Sequence, residues 1–205
     1  MIGLTVNPII GSFFHPIYLI INASTLGHAK DPKQLAGFGL GSLTLGICVI
    51  SIGSGFAMGA GTLISQAFGA KDLRLCAIYR NRQIFLSSIL YLCLAFPMLF
   101  IRSIYSLIGQ DPEIADYAAT YVHIVLPSLY FFVISQSYAM FASNQRVTWI
   151  STCGTISGVS VHFVTTMILY ELAELGFRAV PISTAIHFMV RFSVNYYFAE
   201  FGTQF

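Results

Sequence analysis

The stretch Gly55–Arg82, GFAMGAGTLISQAFGAKDLRLCAIYRNR, decides the fold class. Up to Ala70 it is uncharged and rich in glycine and alanine; beyond that point it carries Lys71, Arg74, Arg80 and Arg82 against Asp72 alone. A small-residue apolar segment that runs into a basic cluster reads as a membrane helix leaving the bilayer on its cytoplasmic side, where Lys and Arg collect.

The rest of the chain agrees. Of its 205 residues 56% are hydrophobic and 9% charged, with a mean hydropathy of +0.76, against about 25% charged in an ordinary soluble domain. Residues 1–29, 34–70, 83–101, 117–145 and 147–170 contain no Asp, Glu, Lys or Arg, and a sixth run, 179–199, is interrupted only by Arg191. An α-helix needs about 20 residues to cross the hydrocarbon core. The expected fold is therefore all-α and polytopic, a single integral membrane domain over 1–205 with six transmembrane helices at about 4–27, 37–68, 83–107, 115–141, 147–170 and 179–199. Transmembrane β-strands would show sustained alternation in segments of about ten residues, and none is visible.

Nine of the 17 glycines fall in run 34–70, including the pairs Gly37/Gly41 and Gly55/Gly59. The GxxxG spacing lets helix backbones approach closely, so this is expected to be the most buried helix, entered through an interfacial lead-in. Pro8 and Pro16 should bend the first span and Pro127 interrupts the fourth. Asp111-Pro112-Glu113 has the N-cap, first-position proline and early acid of a helix start. Lys71, Arg74, Arg80, Arg82 and Arg146 fall on one side of the membrane and Lys30, Lys33, Arg102 and Arg178 on the other, a slight bias that places both termini in the cytoplasm. No signal or transit peptide is read.

Several classes drop out. No basic run is interleaved with solvent-facing aromatics, so nucleic acid is not expected as a partner. Cys48, Cys76, Cys93 and Cys153 are scattered, with no metal-ligand spacing, so neither a metal nor a cofactor is expected. Without HExxH, GxSxG, a Walker loop or an intramembrane carboxylate pair, no enzyme is read.

Three stretches resemble the amino-terminal lobe of the multidrug and toxic compound extrusion (MATE) family. GHAKDPKQLAGFGLG at 27–41 is similar to its loop after helix one. TLISQAFGAKDLRLCAIYRNR at 62–82 resembles its TLxSQAxGAxxxxxxGxYLNR wording and is the specific match. PSLYFFVISQSYAMFASNQ at 127–145 is similar to its helix-four exit. The resemblance implies six helices packed against a second lobe around a central cavity, and antiport of organic cations and xenobiotics driven by proton or sodium gradients. Where many relatives carry a membrane-embedded aspartate on helix one this chain has Asn22, and where many have an acid before the helix-two threonine it has Gly61 before Thr62. Neither an amide nor a glycine exchanges a proton near neutral pH.

With no acid inside a span, the titratable groups left in the membrane are His15, His123, His162 and His187. Pathway candidates are His15 and Asn22 on the first helix, Thr62 and Gln66 on the second, and Gln136 and Tyr138 on the fourth. Gly55, Gly59, His162 and Thr166 read as helix packing. Arg191 reads as snorkelling to a membrane surface. The partners expected are the bilayer and a second lobe, as a homodimer partner or another polypeptide; alternatives are a structural subunit of a larger membrane assembly or a fragment of a longer transporter.

Overall fold

A computed structural model describes residues 2–29 and 31–202; Lys30, counted above for orientation, lies outside the described residues. Among these, helix is the only regular structure, and it forms six rods. The first is α1 (Ile2–Phe14) and α2 (Ile17–Gly27), broken at His15-Pro16 because proline lacks a donor and crowds the preceding turn. The second is α3 (Pro32–Leu45) and α4 (Ile52–Gly69), fused through a π-helical turn at Gly46–Ser51. The third is α5 (Leu73–Met98), which bends by 52° into α6 (Ile101–Leu107), with Pro97 at the bend. α7 (Pro112–Asn144), α8 (Trp149–Met167, prolonged by a π turn at Ile168–Leu172) and α9 (Ala179–Glu200) complete the set.

Three expectations change here. Span two is helical from Pro32, five residues before the expected start at 37, capped by Asp31 accepting from the Lys33 N–H. α5 starts at Leu73, capped by Asp72 accepting from the Leu75 N–H, which puts Arg74, Arg80 and Arg82 on helix and not in a loop. α7 runs unbroken through Pro127; one missing donor does not end a helix that neighbouring helices hold along its length. Asp111 does cap α7, accepting from the N–H groups of Glu113 and Ile114.

Thr5–Gly27, Pro32–Gly69, Pro112–Asn144 and Trp149–Leu172 are long and apolar enough to cross a membrane, and α5 with α6 makes five if the bent pair is one crossing. The sixth rod, α9, has 22 residues, about 33 Å of helix. It is less apolar because its inner face is polar.

α7 is the centre of the lobe, touching α3, α4, α5 and α9. Its span is 67% buried against 28% for Pro32–Gly69, so α7, and not the glycine-rich helix, is the most enclosed. Val122, Val125, Leu129 and Phe132 from α7 meet Leu26, Val49 and Phe188 in the core. Gly37 and Gly41 seat α3 on α7: a Cβ at Gly37 would overlap the Tyr117 Cβ, and one at Gly41 would lie 3.0 Å from the Ala118 carbonyl oxygen. Gly55 and Gly59, expected to pack, face away from the lobe, and a Cβ on either meets nothing within 4 Å. The inward face of α4 is instead Gly53, Ala57, Gly61 and Ile64, half a helical turn away at 100° per residue.

Charges collect at two ends. At one, Lys33 pairs with Glu113 at 2.5 Å and Asp111 at 3.9 Å, Arg102 pairs with Asp116, and the Tyr117 hydroxyl donates to Asp31 at 3.0 Å. At the other, Arg80 pairs with Glu200 at 2.9 Å and lies over the rings of Tyr138 and Phe141, joining α5, α7 and α9. Arg80→Ala should lower lobe stability by about 1–2 kcal/mol, above a surface pair because two ring faces are lost with the ion pair. Unfolding by SDS titration checks this, with Arg82→Ala, whose side chain is exposed, expected to be neutral.

Candidate functional site

Two polar stripes face each other inside the lobe. On α8 they are Thr152, Thr155, His162 and Thr166; on α9, Thr184, His187, Arg191 and Asn195, all buried. The spacings of three, four or seven residues put each set on one helix face. Glycines on α8 make the approach possible: a Cβ at Gly154 would overlap the Asn195 Oδ1, and one at Gly158 would lie 2.9 Å from His187 Nδ1.

α2 closes the far end of this seam. The Asn22 amide donates to Thr184 Oγ1 at 3.0 Å while its oxygen accepts from His162 Nε2 at 3.0 Å, and Thr166 Oγ1 donates to Ser183 Oγ at 2.9 Å. One side chain thus ties α2, α8 and α9 together. Tyr18 stacks on the His187 ring with centroids 5.0 Å apart.

Nearer the other end sits Arg191, only 4% exposed. Its Nη2 donates to Gln136 Oε1 at 2.8 Å and its guanidinium lies 5.2 Å from the Phe132 ring centre, while Nε and Nη1 have no partner among the described residues. Arg191 therefore does not snorkel. The face of α9 that bears it packs against α7, whose Gln136 meets it. Asn195 donates to Ser135 Oγ at 2.8 Å and leaves its own oxygen unpaired.

Two clefts open on either side of the C-terminal half of α7 and share Met140. The first, about 460 Å³, lies between α1, α7, α8 and α9, with His15, Gln136, Thr152, Thr155 and Arg191 on its wall. The second, about 540 Å³, is lined by Thr62, Gln66 and Ser65 of α4 and by Asn144 of α7. Among the described residues neither has a carboxylate on its wall.

The sequence candidates thus separate into groups. His15 and Gln136 share the first cleft and Thr62 and Gln66 the second. Asn22 lies in the lobe interior with His162 and Thr166. Tyr138 is in neither cleft; it packs against Phe192 and Tyr196 beneath Arg80. His123 is exposed, its Nε2 3.2 Å from the Leu99 carbonyl oxygen. Thr184 and Arg191 as part of one buried face were missed, although the three- and four-residue spacing of 184, 187, 191 and 195 was a readable signal.

The MatE family model matches residues 8–168. The chain is similar to Protein DETOXIFICATION 18 of Arabidopsis thaliana, 27% identical over 183 residues, covering 89% of this chain and 38% of that protein. It is 30% identical over 164 residues to Multidrug and toxin extrusion protein 1 of Danio rerio, covering 78% of this chain and 27% of that one. Its fold superposes on the crystal structure of the eukaryotic MATE transporter AtDTX14 with a TM-score of 0.89 at 21% identity, over 98% of this chain and 44% of that chain. The chain spans less than half the length of these relatives.

Proposed function

The chain belongs to the MatE family, and on that premise we propose that it works as one lobe of a secondary transporter that expels small organic molecules, completed by a second lobe. The observation that carries this reading is the match in extent: nearly the whole chain superposes on under half of a full transporter. A cavity walled on one side cannot alternate its access, and transporters of this kind rock one repeat against another around a shared site.

The cargo expected from the family resemblance is an organic cation exchanged for a proton or sodium ion. Two features bear on how this lobe would contribute. Asn22 is spent on a hydrogen-bonded bridge between helices in which its amide donates to Thr184, a bond no carboxylate could make, and a Cβ at Gly61 would already lie 2.9 Å from Asn144 Nδ2, so an acid there would have to displace its neighbours. Acids that couple to an ion gradient or balance a cationic cargo would come from the second lobe.

The test combines native mass spectrometry of the chain extracted from its own membrane with uptake of a fluorescent organic cation into vesicles containing that assembly. A two-lobe assembly, whether two copies, this chain with a similar one, or one longer polypeptide carrying both lobes, is expected to show flux that depends on a pH or sodium gradient. A two-lobe assembly without gradient-driven flux would sink the transport reading. The exclusion of carboxylates from both clefts favours one other reading, a structural subunit descended from a transporter, and co-extraction with several unrelated stoichiometric partners would establish it instead.

A further inference from the structure

The two ends of the lobe carry opposite charge. Lys71, Arg74, Arg80, Arg82 and Arg146 stand against Asp72 and Glu200 where α4, α7 and α9 end and α5 begins, while at the other end six acids stand against three cations among the described residues. Both acids of the basic end are engaged: Glu200 pairs with Arg80 at 2.9 Å, and Asp72 caps α5, accepting from the Leu75 N–H at 2.8 Å. Lys71, Arg74, Arg82 and Arg146 are exposed and form no ion pair among the described residues. The helix ends that carry them meet: Ile64 and Ala67 of α4, Cys76 of α5 and Phe141 of α7 form one apolar cluster, with Cys76 Sγ 3.6 Å from the Ile64 carbonyl oxygen.

Lys and Arg collected on one side orient a membrane protein by themselves, but two observations ask for more than orientation. Lys71 lies just past α4 and Arg146 just past α7, with φ of +60° and +67°. Each sits in the left-handed turn that closes its helix, where the Asp72 N–H bonds back to the Ala67 carbonyl and the Val147 N–H to that of Ala142; glycine takes this conformation freely and a long side chain does not. A cation serving only the helix dipole would do so from the last turn without that cost, and neither helix has one there. At the same end the rings of Trp149 and Phe198 meet at 5.0 Å and Tyr197 and Phe201 are exposed, the aromatic belt that lies at headgroup level. We propose that this end of the lobe binds the headgroups of anionic phospholipids in the adjoining leaflet, through Lys71, Arg74 and Arg146, with Arg82 two turns further along α5. Charge complementarity names the occupant: a basic cluster at a membrane surface draws acidic lipid, and a zwitterionic headgroup brings no net charge to meet four uncompensated cations. The proposal goes beyond the transport reading and does not depend on it.

Electron paramagnetic resonance of spin-labelled phosphatidylglycerol and phosphatidylcholine, each added to the intact chain in phosphatidylcholine bilayers, tests it through the fraction of label immobilised at the protein surface. Phosphatidylglycerol should associate at least about threefold more strongly at low salt. That preference should fall towards parity in about 1 M NaCl, where charges are screened beyond about 3 Å. Lys71→Gly combined with Arg146→Gly removes two of the charges while relaxing both turns, so the double variant should melt no lower than the unaltered chain and lose at least about half of the preference. Equal association of the two lipids with the unaltered chain, a full preference in the folded double variant, or a preference that salt does not weaken overturns the proposal. So does its loss on adding inorganic phosphate at constant ionic strength, which would mark a site for a soluble anion. The salt series decides by itself if the double variant fails to fold.

Discussion

Gly154→Leu is expected to separate α8 from α9 and to abolish a stable, monodisperse lobe. A Cβ at this position overlaps the Asn195 Oδ1 and comes within 3.3 Å of the Arg191 carbonyl oxygen, so the larger side chain meets backbone as well as a buried amide that is itself bonded to Ser135. Rotating Asn195 away would strand two buried polar groups, and moving α9 would break its contacts with α7. The expected loss is about 3 kcal/mol, the upper range for overpacking a tight site. Gly55→Leu, on the face with open space around it, should leave the melting temperature of the chain within error. Fluorescence-detected size exclusion after stepped heating reads both variants, and a Gly154→Leu lobe that melts with the unaltered one would show that α8 and α9 are not this close.

Asn22→Leu should cost about 2 kcal/mol and loosen the junction of α2, α8 and α9. The side chain is fully buried, and its loss leaves His162 Nε2 without its acceptor and removes the donor to Thr184 Oγ1, whose hydroxyl still donates to the Val180 carbonyl. Unsatisfied buried groups cost about 1–3 kcal/mol each in water-soluble proteins, but interhelical hydrogen bonds in membranes average about 0.6 kcal/mol, and the smaller scale keeps the estimate near 2. Combining Asn22→Leu with Thr184→Val isolates the pair: a coupling of about 1 kcal/mol is expected by SDS titration, because either change alone already breaks the bond between the two side chains. Additive effects would show that the two side chains do not meet.

The positions at which reading the sequence failed share a cause. Gly55 and Gly59 have the same spacing as Gly37 and Gly41, yet only the second pair touches α7. Spacing specifies that two residues share a face and leaves open which way that face turns. Arg191 was misplaced for the related reason that its partner, Gln136, is 55 residues away on another helix. Asn22 could be located as a departure from an acidic pattern, but its bridging role depends on His162 and Thr184, 140 and 162 residues further on.

Hydropathy and charge were enough to read an all-α membrane protein, and the wording of three stretches, above all 62–82, was enough to read its family. Lipid demands long uncharged helices, and that demand is met locally, residue by residue along the chain. Which side chains line a cleft, which charges remain unpaired and which glycines carry a contact depended on the rotation of each rod against its neighbours. That rotation is set by packing around α7, where residues far apart in the chain are brought within bonding distance.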